Sequence, residues 1–177
     1  MLKNILLGLA VIIVAFFTYV AMQPKHYEIG REIRIAATAG KIFPYINNSQ
    51  LLNSWGPWSD IDPSVQMNTS GPAEGLGATS SWNSKGKMGV GKATIIESVL
   101  HHHVVSKIEY TKPAMVQTST LAILADGNGS IVRWSVVGEN NFMMLAMCVF
   151  MRHSIDEMVG GMFDLGLKKL KTKLEQG

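Results

Sequence analysis

The first apolar block of the chain, "ILLGLAVIIVAFFTYVAM" from Ile5 to Met22, carries no charge. At about 18 residues it reaches the lower end of the length that spans a bilayer. A different pattern follows. In "HYEIGREIRIAA", Ile29, Ile33 and Ile35 alternate with charged neighbours, and that period of two predicts a strand. In "AGKIFPYINNSQLLNSW" the positions Ile42, Phe43, Ile46, Leu51 and Leu52 fall at near-helical intervals. Pro44 is tolerated in a first helical turn and Asn47-Asn48 predicts a break, so two short helices are expected. Turn chemistry then dominates "WGPWSDIDPSVQMNTSGPAEGLGA", which carries Gly-Pro twice and Asp-Pro once.

Five β-favouring segments come next, at 78–83, 90–99, 103–110, 115–125 and 130–137. Asp-Gly-Asn-Gly at 126–129 is a hairpin signal between the last two, and short connections predict an antiparallel sheet. After it, Phe142 to Met151 is apolar all round, with methionine at 143, 144, 147 and 151. Such a helix is either buried on all sides or set against lipid. The chain closes on a wide apolar stripe formed by Ile155, Met158, Val159, Met162, Phe163, Leu167, Leu170 and Leu174, which predicts one long amphipathic helix. Gly160-Gly161 interrupts it, marking a kink or a close approach to the sheet. The order of elements predicts an α+β domain in which a curved sheet grips the last helix and leaves an apolar space between them.

The first block sets the domain organisation. Residues 1–24 are expected to be an N-terminal transmembrane anchor and residues 25–177 the folded domain. The alternatives are a secretory signal and a buried helix. A signal would end in a small-x-small site, and Tyr-Val-Ala and Val-Ala-Met each put a bulky residue at a key position. Lys3 and the terminal amine on one flank balance Lys25, Arg31 and Arg34 on the other. Charge therefore does not choose which side of the membrane carries the domain.

Composition narrows the classes further. The 177 residues are 47% hydrophobic and 16% charged with a formal charge of +3. No Lys/Arg-rich run is interleaved with aromatics, which argues against nucleic-acid binding. The lone cysteine, Cys148, excludes an intramolecular disulfide and a cysteine-based zinc cluster. Nothing in the pattern selects an oligomeric state.

Several stretches together resemble membrane-anchored members of the SRPBCC superfamily, the helix-grip fold of START and pollen-allergen-like domains often labelled polyketide cyclase/dehydrase-like. They are the apolar anchor followed by "MQP", "IFPYINN", "LNSWGPWSDIDP", "GPAEGLGATSSWNS", "GVGKATIIES", "VRWSVVGENNF" and "MVGGMFDLGLKKLK". The resemblance covers essentially the whole chain. It implies a curved antiparallel sheet around the C-terminal helix and a cavity for a hydrophobic small molecule, with no cofactor or metal. It does not imply a catalytic motif, because the fold hosts unrelated activities. Met162 stands where the resemblance implies an acidic residue.

Chemistry-bearing candidates follow from the strand pattern. "GKMGVGKAT", Gly86 to Thr94, nearly spells a phosphate-binding loop. Ala93 replaces the Ser/Thr that would hold magnesium, and the segment enters a strand rather than a helix. His101 to His103 read as exposed turn residues, with His103 able to point into the fold. Alternation makes Glu97 and Tyr110 inward, a candidate acid/base pair. Trp82, Tyr110 and Trp134, with Met143, Met147, Met151, Met158 and Met162, are the candidate ligand contacts. Methionine's flexibility suits an adaptable apolar wall or gate, and ordinary core packing is the competing reading of Phe142 to Met151. The expected function is membrane-anchored binding of a lipid or a polyketide- or isoprenoid-like molecule. The alternatives are a cyclase/dehydratase using the same cavity and a structural or stress-related partner protein.

Overall fold

The hairpin signal at 126–129 closes two strands on each other, with Gly127 at φ +58°, where a side chain would be strained. The computed structural model describes residues 2–111, 114–140, 142–151 and 155–176, apart from the side chains of residues 2, 147, 151, 155 and 158. Its elements are α1 (Leu2–Ala21), β1 (His26–Ile35), α2 (Ala39–Asn47), α3 (Ser49–Trp55), α4 (Trp58–Ile61), β2 (Gln66–Ser70) and β3 (Thr79–Asn83). There follow β4 (Val90–Val99), β5 (His103–Thr111), β6 (Ala114–Asp126), β7 (Gly129–Glu139), α5 (Phe142–Met151) and α6 (Ile155–Glu175). Seven strands form one antiparallel sheet in the order β1-β7-β6-β5-β4-β3-β2. The architecture is α+β: a curved sheet, a long C-terminal helix on its inner face and an apolar N-terminal helix.

Asn48 separates α2 from α3 and caps the second, its Oδ1 accepting from the backbone N–H groups of Gln50 and Leu51. Within "WGPWSDIDPSVQMNTS", β2 and the single turn α4 form where turns alone are expected from Gly and Pro. β2 is mostly exposed at the sheet edge and carries Asn, Thr and Ser, so no apolar alternation marks it.

The core lies between α6 and the sheet. Ile35, Ile42, Ile46, Val132, Phe163, Leu167 and Leu170 are buried together. Two glycines let α6 approach. A Cβ on Gly166 would lie 2.7 Å from Trp134 Cζ3 and 3.1 Å from Pro57 Cδ, so the bare backbone is what admits the indole. Gly160 faces the guanidinium of Arg31, which lies across the helix between Asp156 and Asp164. Arg31 Nη2 meets Asp156 Oδ2 at 2.7 Å and Nε meets Asp164 Oδ2 at 3.4 Å. The i, i+4, i+8 spacing of Asp156, Gly160 and Asp164 builds this clamp on one face, and of the glycine pair it is Gly160 that marks a close approach to Arg31 of β1.

The helix's polar face is not idle. Lys171 Nζ donates to the Arg34 carbonyl at 2.7 Å and to Glu175 Oε1 at 2.7 Å, and the same oxygen accepts from the Ala36 N–H. Lys171 thus fastens the end of β1 to α6.

Candidate functional site

The middle of the grip is filled. Trp134 is inward and only 5% exposed. Its ring stacks on Phe163 at 4.4 Å, meets the edges of Trp55 and Trp58, and its indole N–H donates to Ser119 Oγ at 3.0 Å. A ring held on so many sides is core. Trp134, a candidate ligand contact, is thus packed on several sides by the protein's own side chains.

One end of the inner face is lined by aromatics set over glycines. Trp82, Gly91, Tyr110 and Met115 are successive cross-strand partners on one row, and Ile108, Gln117, Gly138 and Tyr27 form the next. Each large aromatic lies over a glycine: a Cβ on Gly91 would meet Trp82 Cζ2 at 2.5 Å, and one on Gly138 would meet Tyr27 Oη at 2.5 Å. Trp82 meets Tyr110 edge-on at 5.4 Å and donates its indole N–H to the Met88 carbonyl at 3.2 Å. Burial, followed by the neighbouring Tyr110 phenol, pushes Tyr27 up to about 12, and burial pushes Tyr110 up as well. Both hydroxyls therefore stay protonated and act as neutral donors. Tyr27 went unread in the sequence, although its alternation with Ile29, Ile33 and Ile35 places it on the inner face.

Glu97 does not join Tyr110. Ile95 pairs with Ser106 but Glu97 pairs with Val105, so a bulge inserts one residue and turns Glu97 to the outer face. There it is exposed, and Oε1 lies 2.9 Å from Nε2 of His103. Glu97 and Tyr110 therefore lie on opposite faces of the sheet, and His103 points to the outer face with Glu97. His101 and His102 are exposed at the turn, His101 with φ 60°. Among the described residues, no group of three His, Cys, Asp or Glu side chains is placed to hold a metal.

The glycine-rich turn resembling a phosphate loop cradles a carboxylate of the protein itself. Asp62 accepts from Ser64 N–H and Oγ, from Ser84 Oγ and from the Met88 N–H at 3.1 Å. A Cβ on Gly86 would sit 2.6 Å from Asp62 Oδ2. The hydroxyls of Ser64 and Ser84 and the Met88 N–H hold the Asp62 carboxyl well below the usual range.

A cleft of about 810 Å³ opens at the end of the sheet. Residues 114–116 of β6 run past the last rung with β7, and the corner they leave is closed by the end of α1 and the first turn of α5. Met115, Val116, Phe142 and Leu145 supply apolar walls, while Lys25, His26 and Glu139 form a polar rim. Asn140 lines the cleft and is only 9% exposed. Its Nδ2 faces the Pro24 carbonyl at 3.5 Å, while its Oδ1 has no hydrogen-bond partner among the described residues. An unsatisfied buried acceptor costs about 1–3 kcal/mol, so its position beside an open cleft is informative.

The methionines divide. Met143 is 78% exposed on α5 and Met162 packs half-buried against the core. The side chains of Met147, Met151 and Met158 lie outside the described residues. Phe150 is 82% exposed and Phe142 stacks flat on Phe17 of α1 at 5.6 Å. The apolar run is therefore neither wholly core nor the wall of an enclosed cavity.

A sheet gripping a C-terminal helix with a ligand-sized opening at its end defines the helix-grip class. Within that class, the chain belongs to the family described as polyketide cyclase / dehydrase and lipid transport, whose profile matches residues 27–175. Solved structures agree on the fold. An uncharacterized protein from Rhizobium leguminosarum is 14% identical with a TM-score of 0.62, over 86% of this chain and 97% of that one. A norcoclaurine synthase point mutant from Thalictrum flavum, in complex with a transition-state analogue, is 14% identical with a TM-score of 0.60, over 82% and 94%. The Aha1 dimer from Colwellia psychrerythraea is 18% identical with a TM-score of 0.58, over 84% and 96%. No curated protein matches the sequence. Family and fold together support a domain that takes hydrophobic ligands.

Proposed function

We propose that this chain is a membrane-anchored binder of an amphiphilic small molecule, a lipid or an isoprenoid- or polyketide-like compound. The observation that carries this reading is the apolar-walled cleft with the unsatisfied Asn140 Oδ1 beside it. Ligand sites in proteins are mostly apolar with a few placed polar groups, and this cleft has that composition. The ligand's apolar body lies against Met115, Val116, Phe142 and Leu145 and extends toward Trp82 and Tyr110. A hydroxyl or amide of its head donates to Asn140 Oδ1, which is buried in this structure and turns toward the cleft to accept it. The Tyr27 and Tyr110 hydroxyls orient acceptor atoms deeper in the grip.

Anchoring is supported by α1, in which residues 3–21 are long and apolar enough to cross a bilayer and are almost wholly unburied. Its last turn borders the cleft, so the same helix that fixes the domain to the membrane forms one wall of the site.

The test is native mass spectrometry of the full chain released from lipid nanodiscs, beside an Asn140→Leu variant. The expected result is a bound small molecule of defined mass in the wild type, depleted several-fold in the variant. A wild-type protein that carries no small molecule and takes up no apolar fluorescent probe overturns the reading.

A further inference from the structure

We propose that α5 is itself a membrane element: a short helix lodged in the surface layer of the same leaflet that receives the C-terminal end of α1, so that the cleft opens into lipid rather than water. This rests on reading α1 as a membrane span.

The first support is the outward face of α5. Helices at a protein surface carry polar residues on the side that meets water. α5 has none there, since Phe142, Met143 and Phe150 are exposed and no charged side chain occurs between Phe142 and Met151. Its opposite side is used by the domain, where Leu145 is buried at the cleft. Apart from Phe142, which reaches α1, the outer face at Met143 and Phe150 is thus left open among the described residues.

The second support says what covers it. Phe142 stacks face to face on Phe17, so α5 begins in direct contact with α1. Phe17 lies four residues before Ala21, the end of α1, a distance of about 6 Å at 1.5 Å per residue. Where α1 crosses a bilayer, that contact places the start of α5 at the depth typical of interfacial helices, about 5–10 Å below the headgroups. With 10 residues, α5 is about 15 Å long and too short to span. Polar residues bracket it in sequence, Asn140 and Asn141 before it and Arg152 and His153 after it. Asn140 also ties its base to the segment after α1, its N–H donating to the Lys25 carbonyl at 2.6 Å. A shallow re-entry satisfies all of these constraints, and it gives a hydrophobic ligand a route from the leaflet to the cleft without crossing water.

The experiment uses the full chain in phosphatidylcholine/phosphatidylglycerol vesicles, in a Cys148→Ala background. Single cysteines labelled with an environment-sensitive fluorophore are introduced as Met143→Cys, Phe150→Cys, Ile12→Cys in α1 and Asn68→Cys in the exposed β2. Spin-labelled lipids quench from within the bilayer and iodide quenches from water. The expected result is strong quenching of the 143 and 150 labels by lipid carrying a shallow spin label, with at least several-fold shielding from iodide relative to position 68. Iodide-accessible labels at 143 and 150, with position 12 quenched by lipid, overturn the insertion of α5 and leave the anchor standing. Iodide access at position 12 as well removes the anchor and the proposal with it.

Discussion

Alanine in place of each of two glycines on α6 should change stability in opposite directions. Helix propensity favours alanine over glycine by about 1 kcal/mol at an unencumbered position. Gly161 is such a position: it is exposed and a Cβ there meets nothing within 4 Å. Gly161→Ala should therefore stabilise by up to about 1 kcal/mol. At Gly166 the same Cβ would lie 2.7 Å from Trp134 Cζ3. That ring has no room to retreat, because Phe163 covers one face, Trp55 and Trp58 hold its edges and Ser119 holds its N–H. Overpacking a fixed core costs about 1–3 kcal/mol, which exceeds the propensity gain. Gly166→Ala should therefore be net destabilising, and the two variants should differ by about 1–3 kcal/mol. Urea-unfolding midpoints followed by tryptophan fluorescence, with the full chain in one mild detergent, measure the difference. Equal midpoints for the two variants would refute the packing of α6 described here.

Phe163→Ala should cost about 3–5 kcal/mol in the same assay, since it empties the stack on Trp134, whereas exposed Lys173→Ala should change stability by under about 0.5 kcal/mol. Lys171→Ala should fall measurably below Lys173→Ala, because it releases the Arg34 carbonyl and Glu175. Asp62 gives a pH signature: its folded-state pKa is depressed, so its contribution is present above the unfolded value of about 4 and is lost as pH falls toward the folded value. Stability measured between pH 7 and pH 2 should decline less steeply in Asp62→Asn than in the wild type. Parallel curves would remove Asp62 as a source of acid sensitivity.

Much of the fold was legible because its local signals agree with one another. The limits expected for the segment at 90–99 coincide with β4, the hairpin at 126–129 joins β6 to β7, and Asn48 both ends α2 and caps α3. β2 escaped notice because an exposed edge strand of Asn, Thr and Ser carries no apolar period. The candidate site was less legible, and Glu97 shows why. Its face was counted by alternation from Ala93 and Ile95, and a single bulge residue reverses that count without leaving a sequence mark. Trp134 points inward as alternation implies, but only the three-dimensional packing shows Phe163 already lying on it. The cleft is built from the ends of α1, β1, β6, β7 and α5, with lining residues as far apart in the chain as Ala21 and Leu145, and no spacing rule joins them. Asn140 lies in a loop that reads as punctuation, and its orphaned oxygen appears only when its neighbours are in place.

Photocrosslinking tests the proposed site most directly. The full chain is reconstituted with a lipid carrying a diazirine in its acyl chain, irradiated and mapped by peptide mass spectrometry. Labels on α1 and α5 would report membrane contact, so the decisive segment is the start of β6, which borders the cleft. The account predicts crosslinks at Met115 to Gln117, suppressed by Leu145→Trp, a substitution that fills the cleft from α5. Crosslinks confined to α1 and α5, with the start of β6 unlabelled, would contradict it.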